Sequence, residues 1–514
     1  MSQPFNTGDL ARLAARGITP AEGARQLDVL ARPAAWAPLE RPCTLGDGIE
    51  SLAAARVEAL LAVHVGAAAA GRVSAFVPAS GAATRMFKDL IAACEIPGEL
   101  PPAAIRARDD AAAKALVKYA EELPRFAFAD ALAAELRWSG HDLDTLRRQG
   151  PWRPLLESLL LGSGISGSGL GAASAPKGQL LFHREDGIAR TAFEEHLWEA
   201  IELTGDVHGV RRLDVTVSPE HRVGFEALLA TLGPALAERF GGGHQVAFSE
   251  QHAATDTLAA DPAGGPFRDE SGHVLFRPAG HGALLRNLKE SGRDLVFLKN
   301  IDNVAVSRVR PETARWSRAL LGLASECAEA VHALVRRLRA GDARAPGEAR
   351  AFAEQELGLV LAPSLDGGAL AAALDRPVRV CGMVANTGEP GGGPFWVRGA
   401  EGVTRQIVES AEVDPASPAQ QTVLRGATHF NPVFIACALR DADGRVHDLD
   451  RFVDDAAVIV TRKSYGGREL LALERPGLWN GAMAHWHTRF VEVPLAVFNP
   501  VKTVFDLLRP EHQR

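Results

Sequence analysis

Cysteine is scarce in this chain, tyrosine scarcer, and neither a long apolar run nor an excess of positive charge is present. The five cysteines, Cys43, Cys94, Cys327, Cys381 and Cys437, are scattered without CxxC spacing. That pattern gives neither a zinc site nor a disulfide framework, and it points to a reducing, cytoplasmic setting. No stretch of about 18 apolar residues occurs, so no membrane span is expected. The first 17 residues carry no basic segment leading into an apolar core, so no secretory signal is expected. Lys and Arg total 56 against 63 Asp and Glu, a formal net charge of -7. A general nucleic-acid binder carries a basic field, so that class is set aside. Any anionic ligand must then be drawn by local cations.

At 514 residues the chain is too long for one simple core. A large central domain with additions is expected. Hydrophobic residues at 46% and charged residues at 23% fit a soluble globular protein. Residues 1–70 read as a helical extension of three helices. Residues 71–310 read as a nucleotide-binding core interrupted by a helical insertion at about 91–174. That insertion ends in a Gly/Ser-rich segment, residues 162–175, with the composition of a flexible linker or a flap. A second helical insertion follows at 311–374. Residues 375–514 read as the rest of the core and the C-terminal segment.

Two stretches carry chemistry. Residues 277–303, RPAGHGALLRNLKESGRDLVFLKNIDN, read as glycine turn, helix, strand and abrupt polar end. Gly280-His281-Gly282 permits a tight turn and close approach to a ligand, because glycine has no Cβ and tolerates positive φ. Leu284, Leu285 and Leu288 share one helical face. Leu295-Val296-Phe297-Leu298 is the pattern of a strand buried on both faces in a parallel sheet. Ligands of open α/β sheets bind beyond the carboxyl ends of strands, which puts Asp302 where a metal-binding carboxylate is expected. The same residues fit equally a polar turn that caps the strand. The second stretch, residues 74–90, reads as a strand, a small-residue loop (Ser80, Gly81, Ala82) and a helix from Thr84 onward. Free N–H groups at such a helix start attract anions, and Arg85 adds a fixed positive charge.

GHG followed by a helix, a strand and NIDN resembles the UDP-sugar pyrophosphorylase (UTP–glucose-1-phosphate uridylyltransferase-like) superfamily. Gly81, Thr84, Arg85 and Met86 resemble its GxGTRM signature, departing from it at Ser80 and Ala83. Pro176-Lys177 resembles the later PKxLxP element, displaced along the chain by the insertion. Gln251 stands near the family's FxQ glutamine, which reads the nucleobase; an amide donates and accepts at once, as a uracil edge requires. Glu409 and Asn431 match positions that meet sugar hydroxyls, although the later asparagines of FNxNN are missing. VPLAVFNPVKT followed by DLL resembles the eukaryotic-type C-terminal run, in which the lysine, here Lys502, reaches the phosphates. Residues 477–490, just before it, read as a helix, on which His485 and His487 face different ways.

The resemblance covers roughly residues 74–90 and 175–510 and points to a bacterial branch. It implies a mixed, mainly parallel α/β nucleotidyltransferase (GT-A/Rossmann-like) fold flanked by helices. It also implies an enzyme that joins a sugar 1-phosphate to a nucleoside triphosphate, preferably UTP, with Mg²⁺ at Asp302. Arg85, Lys177 and Lys502 would be the catalytic cations. Ser80, Gly81, Ala82, Thr84, Gln251, Gly280, His281 and Gly282 would bind the nucleotide, and Asn303, Glu409 and Asn431 the sugar substrate. Neither nucleic acid nor membrane is an expected partner. Three other readings stay open: a nucleotide-sugar-binding protein without catalysis, an enzyme of the same fold using another nucleotide or a non-sugar phosphate, and a purely structural helical protein, against which the strand-end Asp302 and three separated cations argue.

Overall fold

The computed structural model describes residues 4–32, 35–162, 169–388, 391–399 and 402–513. The middle of the Gly/Ser-rich segment at 162–175 lies outside them. The chain forms two compact units. The first comprises residues 1–76, 249–298 and 316–495; the second comprises 77–248, 299–315 and 496–514.

The first unit is built on a mostly parallel sheet. Its strands run in the order Thr44–Leu45, Gly48–Glu50, His487–Glu492, Val378–Ala385, Phe434–Ala438, Leu295–Lys299 and Val73–Pro78. Thr44–Leu45 with Gly48–Glu50, Gly48–Glu50 with His487–Glu492, His487–Glu492 with Val378–Ala385, and Leu295–Lys299 with Val73–Pro78 pair in parallel, whereas Val378–Ala385 with Phe434–Ala438 is antiparallel. Val73 faces Leu295 and Phe76 faces Leu298 across the ladder. Every residue of Leu295–Lys299 is buried, as its unbroken apolar run predicts for a strand covered on both faces. Phe76, Val296, Leu298, Met383, Ile435 and Phe490 join Leu284, Leu288 and Trp486 in one core. Two antiparallel sheets complete the unit. One pairs Leu39–Pro42, Gly393–Gly399 and Gly402–Val408; the other pairs Phe276–Arg277, Thr257–Ala260, Arg468–Glu474 and Ile459–Tyr465.

In the second unit the strand Val210–Val217 neighbours Gly243–Glu250. Helices Ala111–Glu122, Ala129–Trp138, Leu143–Gln149 and Arg153–Leu160 form the first insertion. Asp110 starts this group by accepting the Ala113 N–H at 2.9 Å. Tyr119, Phe126, Leu132, Trp152 and Leu155 are wholly or almost wholly buried, so the insertion has an apolar core of its own. Helices Arg310–Arg339, Ala345–Gln355 and Gly367–Leu374 occupy the second helical stretch. Among the described residues no helix is long and apolar enough to cross a membrane.

Three sequence expectations are corrected. No helix runs over 477–490: a 3-10 turn at Gly481–Met483 leads into the strand His487–Glu492, paired in parallel with Val378–Ala385. Thr, Phe and Val in HTRFVE suit a strand, and five of its six residues are buried. A Cβ on Gly481 would lie 2.4 Å from the Ala457 Cβ, so this turn is packed too tightly for a regular helix with side chains. His487 is therefore a strand residue, its Nε2 on the Leu374 carbonyl at 2.8 Å. After the small-residue loop, only a 3-10 turn, Ala83–Arg85, precedes the short helix Lys88–Ala93. Residues 1–70 hold the three expected helices, Thr7–Arg16, Pro20–Leu30 and Ala54–Ala69, but also three short strands between 39 and 50.

Candidate functional site

Two clusters of side chains stand out, one in each unit. In the second unit the chain leaves strand Leu295–Lys299 and turns at once. The Ile301 N–H reaches the Pro78 carbonyl, and Asn303 makes an isolated bridge with Pro500. That turn buries Asp302 and Asn303, at 6% and 2% exposure. Asn303 is structural on both sides: Oδ1 accepts the Asn499 N–H at 2.8 Å and Nδ2 donates to the Val497 carbonyl at 3.3 Å.

Asp302 meets two cations. Lys177 Nζ donates to its Oδ2 at 2.7 Å and to the Val501 carbonyl at 2.7 Å. Lys502 Nζ stands 3.6 Å from the same Oδ2, with 55% of its side chain exposed. Burial alone would raise the Asp302 pKa; the positive charges of Lys177 and Lys502 outweigh it and hold the carboxyl below its ordinary value. Asp302 is thus an anion at neutral pH.

The small-residue loop is stitched to Lys177. Lys177 N–H reaches the Gly81 carbonyl at 3.3 Å, Ala83 N–H reaches the Ala175 carbonyl at 2.9 Å, and Ala82 bridges Pro176. Thr84 Oγ1 donates to the Ala173 carbonyl at 3.0 Å. Ser80, Gly81, Ala82, Thr84 and Arg85 are exposed. The long insertion therefore leaves the loop at 80–85 and Lys177 adjacent, despite their distance along the sequence. Arg85, Lys177, Asp302 and Lys502 all belong to this unit.

In the first unit, Gly280 has φ +76, open to glycine at little cost, and a Cβ on Gly282 would lie 2.1 Å from the Pro476 carbonyl oxygen. The two glycines let His281 lie flat on Trp479, ring centroids 4.0 Å apart and 8° between planes. Leu478 N–H donates to His281 Nδ1 at 2.9 Å, which assigns the ring proton to Nε2. Burial pushes the imidazole down to about 4, so it is neutral at pH 7. Its Nε2 faces Glu409 Oε1 at 3.8 Å. Burial raises the Glu409 carboxyl. Behind it, Glu412 Oε2 accepts the Glu409 N–H and Asn480 Nδ2, each at 2.7 Å, and burial pushes Glu412 up to about 7.

Asn431 lies beside the same segment: its N–H bonds the Gly392 carbonyl at 2.8 Å, and a Cβ on Gly392 would lie 3.4 Å from the Glu409 Cγ. Its Oδ1 holds the Val433 N–H at 3.1 Å, while its buried Nδ2 has no partner among the described residues. Gln251 is half-buried just beyond strand Gly243–Glu250. Asn287, from the helix after the GHG turn, donates to Ser249 Oγ at 3.0 Å and to the Glu250 carbonyl at 2.8 Å, fixing the strand end that precedes Gln251.

A family model described as a domain of unknown function, DUF4301, matches residues 6–513. The chain belongs to the DUF4301 family. No curated protein matches it. Among solved structures, the DUF4301 chain is similar to the uridine diphosphate N-acetylglucosamine pyrophosphorylase of Trypanosoma brucei in complex with inhibitor. The identity is 15%, covering 98% of this chain and 79% of that one, with a TM-score of 0.50. The UDP-glucose pyrophosphorylase of Leishmania major, solved in open and closed forms, follows at 12% identity, 99% and 78% coverage and a TM-score of 0.47. The fold of the DUF4301 chain is that of the Trypanosoma brucei pyrophosphorylase, a mixed α/β nucleotidyltransferase fold with a mainly parallel sheet flanked by helices.

Sequence reasoning missed Trp479 and Glu412 in this chain. Trp479 lay in a segment expected to be helical, where a tryptophan reads as packing. The signal for it was Gly477: a Cβ there would lie 2.6 Å from His281 Cε1, so the second glycine-containing turn was built around the first. Arg379 was missed as well. It is fully buried and donates to Thr488 Oγ1 at 2.8 Å, the Trp479 carbonyl at 2.7 Å and Gln406 Oε1 at 3.2 Å, tying the tryptophan's backbone to the sheet.

Proposed function

We propose that this protein is a sugar-1-phosphate nucleotidyltransferase that prefers UTP. The observation that carries the reading is the convergence of Lys177 and Lys502 on one buried, ionised carboxylate, Asp302, next to the exposed loop at 80–85. The fold likeness to a uridine diphosphate N-acetylglucosamine pyrophosphorylase supports it.

In the reaction a phosphate oxygen of the sugar 1-phosphate attacks the α-phosphorus of the nucleotide. One P–O bond forms, the bond to the β-phosphate oxygen breaks, and pyrophosphate leaves with its electron pair. The nucleophile is already ionised, so no general base is required, and the work is positioning and charge stabilisation. Lys502, exposed and free to follow a ligand, meets the phosphate oxygens. Arg85 adds a second exposed cation. Lys177 holds Asp302 and the Val501 carbonyl together, fixing the turn from which Lys502 projects. His281, kept neutral and stacked on Trp479, presents an Nε2 proton beside Glu409 for a sugar hydroxyl or ring, and Gln251 offers an amide to the base.

The donor set fits a magnesium ion only in a particular way. Among the described residues no three His, Cys, Asp or Glu side chains cluster to hold a metal. Both lysines occupy Asp302 Oδ2, leaving Oδ1 for a further cation. Mg²⁺ keeps several waters and uses one or two carboxylates plus substrate phosphates, so a single carboxylate suffices when the nucleotide is present. Bound there, the ion would neutralise charge on the phosphates.

The test is pyrophosphate release from purified protein with Mg²⁺, each of four ribonucleoside triphosphates and a panel of sugar 1-phosphates. Release that requires both UTP and one sugar phosphate is the expected result. Release with another nucleotide assigns the fold to that base. No release, with UTP or a UDP-sugar still raising Tm, identifies a binding protein.

A further inference from the structure

The first unit contains a cavity of about 270 Å³ lined by, among others, Trp36, Leu357, Ile407, Val458 and Trp486. These walls are apolar. Arg405 also lines it and is 8% exposed. Long charged side chains are rarely this deep without a partner. Among the described residues its guanidinium donates one hydrogen bond, Nη2 to the Glu356 carbonyl at 3.3 Å, and meets no carboxylate at ion-pair distance. Its charge is supported further by the Trp396 ring, 5.9 Å from centroid to Cζ, and at longer range by Glu50, whose carboxylate is hydrogen-bonded to Arg489 instead. Burial disfavours the charged form of Arg405. A buried cation with spare N–H donors, on the wall of an apolar cavity, is an unfinished ion pair.

We propose that this cavity binds a small organic anion, with its carboxylate or phosphate on Arg405 and its apolar body against Trp486, Ile407 and Leu357. The guanidinium is a planar fork that matches either head group in two parallel hydrogen bonds. Two other arginines line the cavity, Arg376 half-buried and Arg398 exposed and hydrogen-bonded to Glu40; Arg405 is the buried one and is the anion's station. The cavity's volume suits a ligand of about one aromatic ring with its head group. The cavity shares Glu412 and Asn480 with the support of Glu409, but Arg405, Leu357, Ile407 and Trp486 are not among the residues proposed for nucleotidyl transfer, so failure of this proposal leaves that reading untouched.

Calorimetric titration of the full-length protein with benzoate, phenyl phosphate and neutral benzyl alcohol tests the assignment. At least one anion binds the unmodified protein more tightly than benzyl alcohol does, and which one binds identifies the head group. Arg405→Met keeps the length and apolar body of the side chain, and replacing a buried charge in this way often leaves stability intact. It weakens the anion by roughly tenfold or more while leaving benzyl alcohol unchanged. Ala484→Leu fills the cavity without touching the charge and weakens both kinds of ligand. Absence of binding by both anions at millimolar concentration overturns the proposal. Equal anion affinity in Arg405→Met also overturns it, as does unchanged affinity in Ala484→Leu should the arginine variant not fold.

Discussion

In the second unit, Lys177, Lys502 and Asp302 meet as full charges, and the carboxylate stays ionised because the lysines outweigh its burial. In the first unit, burial instead suppresses charge: His281 is held neutral, and Glu409 and Glu412 are both pushed up. One cluster is suited to polyanions and the other to a ligand that carries hydroxyls and a flat ring face. The contrast is one between paired full charges and groups that burial keeps neutral. It also ranks the consequences of breaking each cluster, since a full charge lost from a phosphate site costs more than a neutral contact.

The largest effect is expected from Asp302→Asn. The amide keeps the shape but cannot neutralise Lys177 and Lys502, and turnover should fall by roughly a thousandfold. Removing one member of a buried pair also destabilises, by about 3 kcal/mol, readable as a lower denaturation midpoint. Turnover near that of the unmodified protein would sink the assignment of Asp302. Lys502→Ala comes next. Pyrophosphate release should drop by roughly a hundredfold with the denaturation midpoint unchanged, because an exposed ion pair contributes under about 1 kcal/mol. An unaltered rate would remove Lys502 from the reaction.

In the first unit, Trp479→Ala removes the face on which His281 lies. KM for the sugar phosphate should rise about tenfold with KM for the nucleotide unchanged, a loss near the worth of one aromatic contact. Equal increases in both values would mean that the stack supports the whole fold and no particular substrate.

How much of this was legible beforehand differs between the clusters for a physical reason. Leu295–Lys299 and the polar turn after it carry their own pattern: four apolar residues, then Asn300, Asp302 and Asn303. The strand and the burial of Asp302 follow locally. Lys177 and Lys502 bear no local mark, and only the order of motifs pointed to them, because pairing across a long insertion leaves no periodicity. The run at 477–490 misled for the opposite reason. GLWNGAMAHWH has helical-looking apolar spacing, yet Gly477 and Gly481 sit against His281 and Ala457 with no space for a Cβ. Tertiary packing overrode local preference there, and with it went the chance of seeing that Trp479 faces His281. The loop at 80–85 is intermediate: its small residues were evident, but a 3-10 turn stands where the helix was expected to start and the short helix begins only at Lys88, so the loop's exposure and not a helix dipole is what it offers a phosphate.

The smallest expected effect concerns pH, and its sign separates the two neutral groups of the first unit. Glu412 has a folded value of about 7, above the 4.5 of a free glutamate, so the folded state holds its proton more tightly. The stability it contributes is complete below pH 4.5 and is lost as pH rises through about 7. His281 has a folded value of about 4, below 6.5, so its contribution is present above pH 6.5 and is lost as pH falls through about 4. Glu412→Gln keeps an uncharged acceptor for the Glu409 and Asn480 N–H groups and removes only the first dependence. Its stability relative to the unmodified protein should therefore climb between pH 5 and 8, reaching about 1–3 kcal/mol. Denaturant melts at half-unit pH steps measure that difference. A difference that stayed flat across the range would show that Glu412 is ionised in the folded protein, and the contrast between a charged cluster and a neutral one would lose its second half.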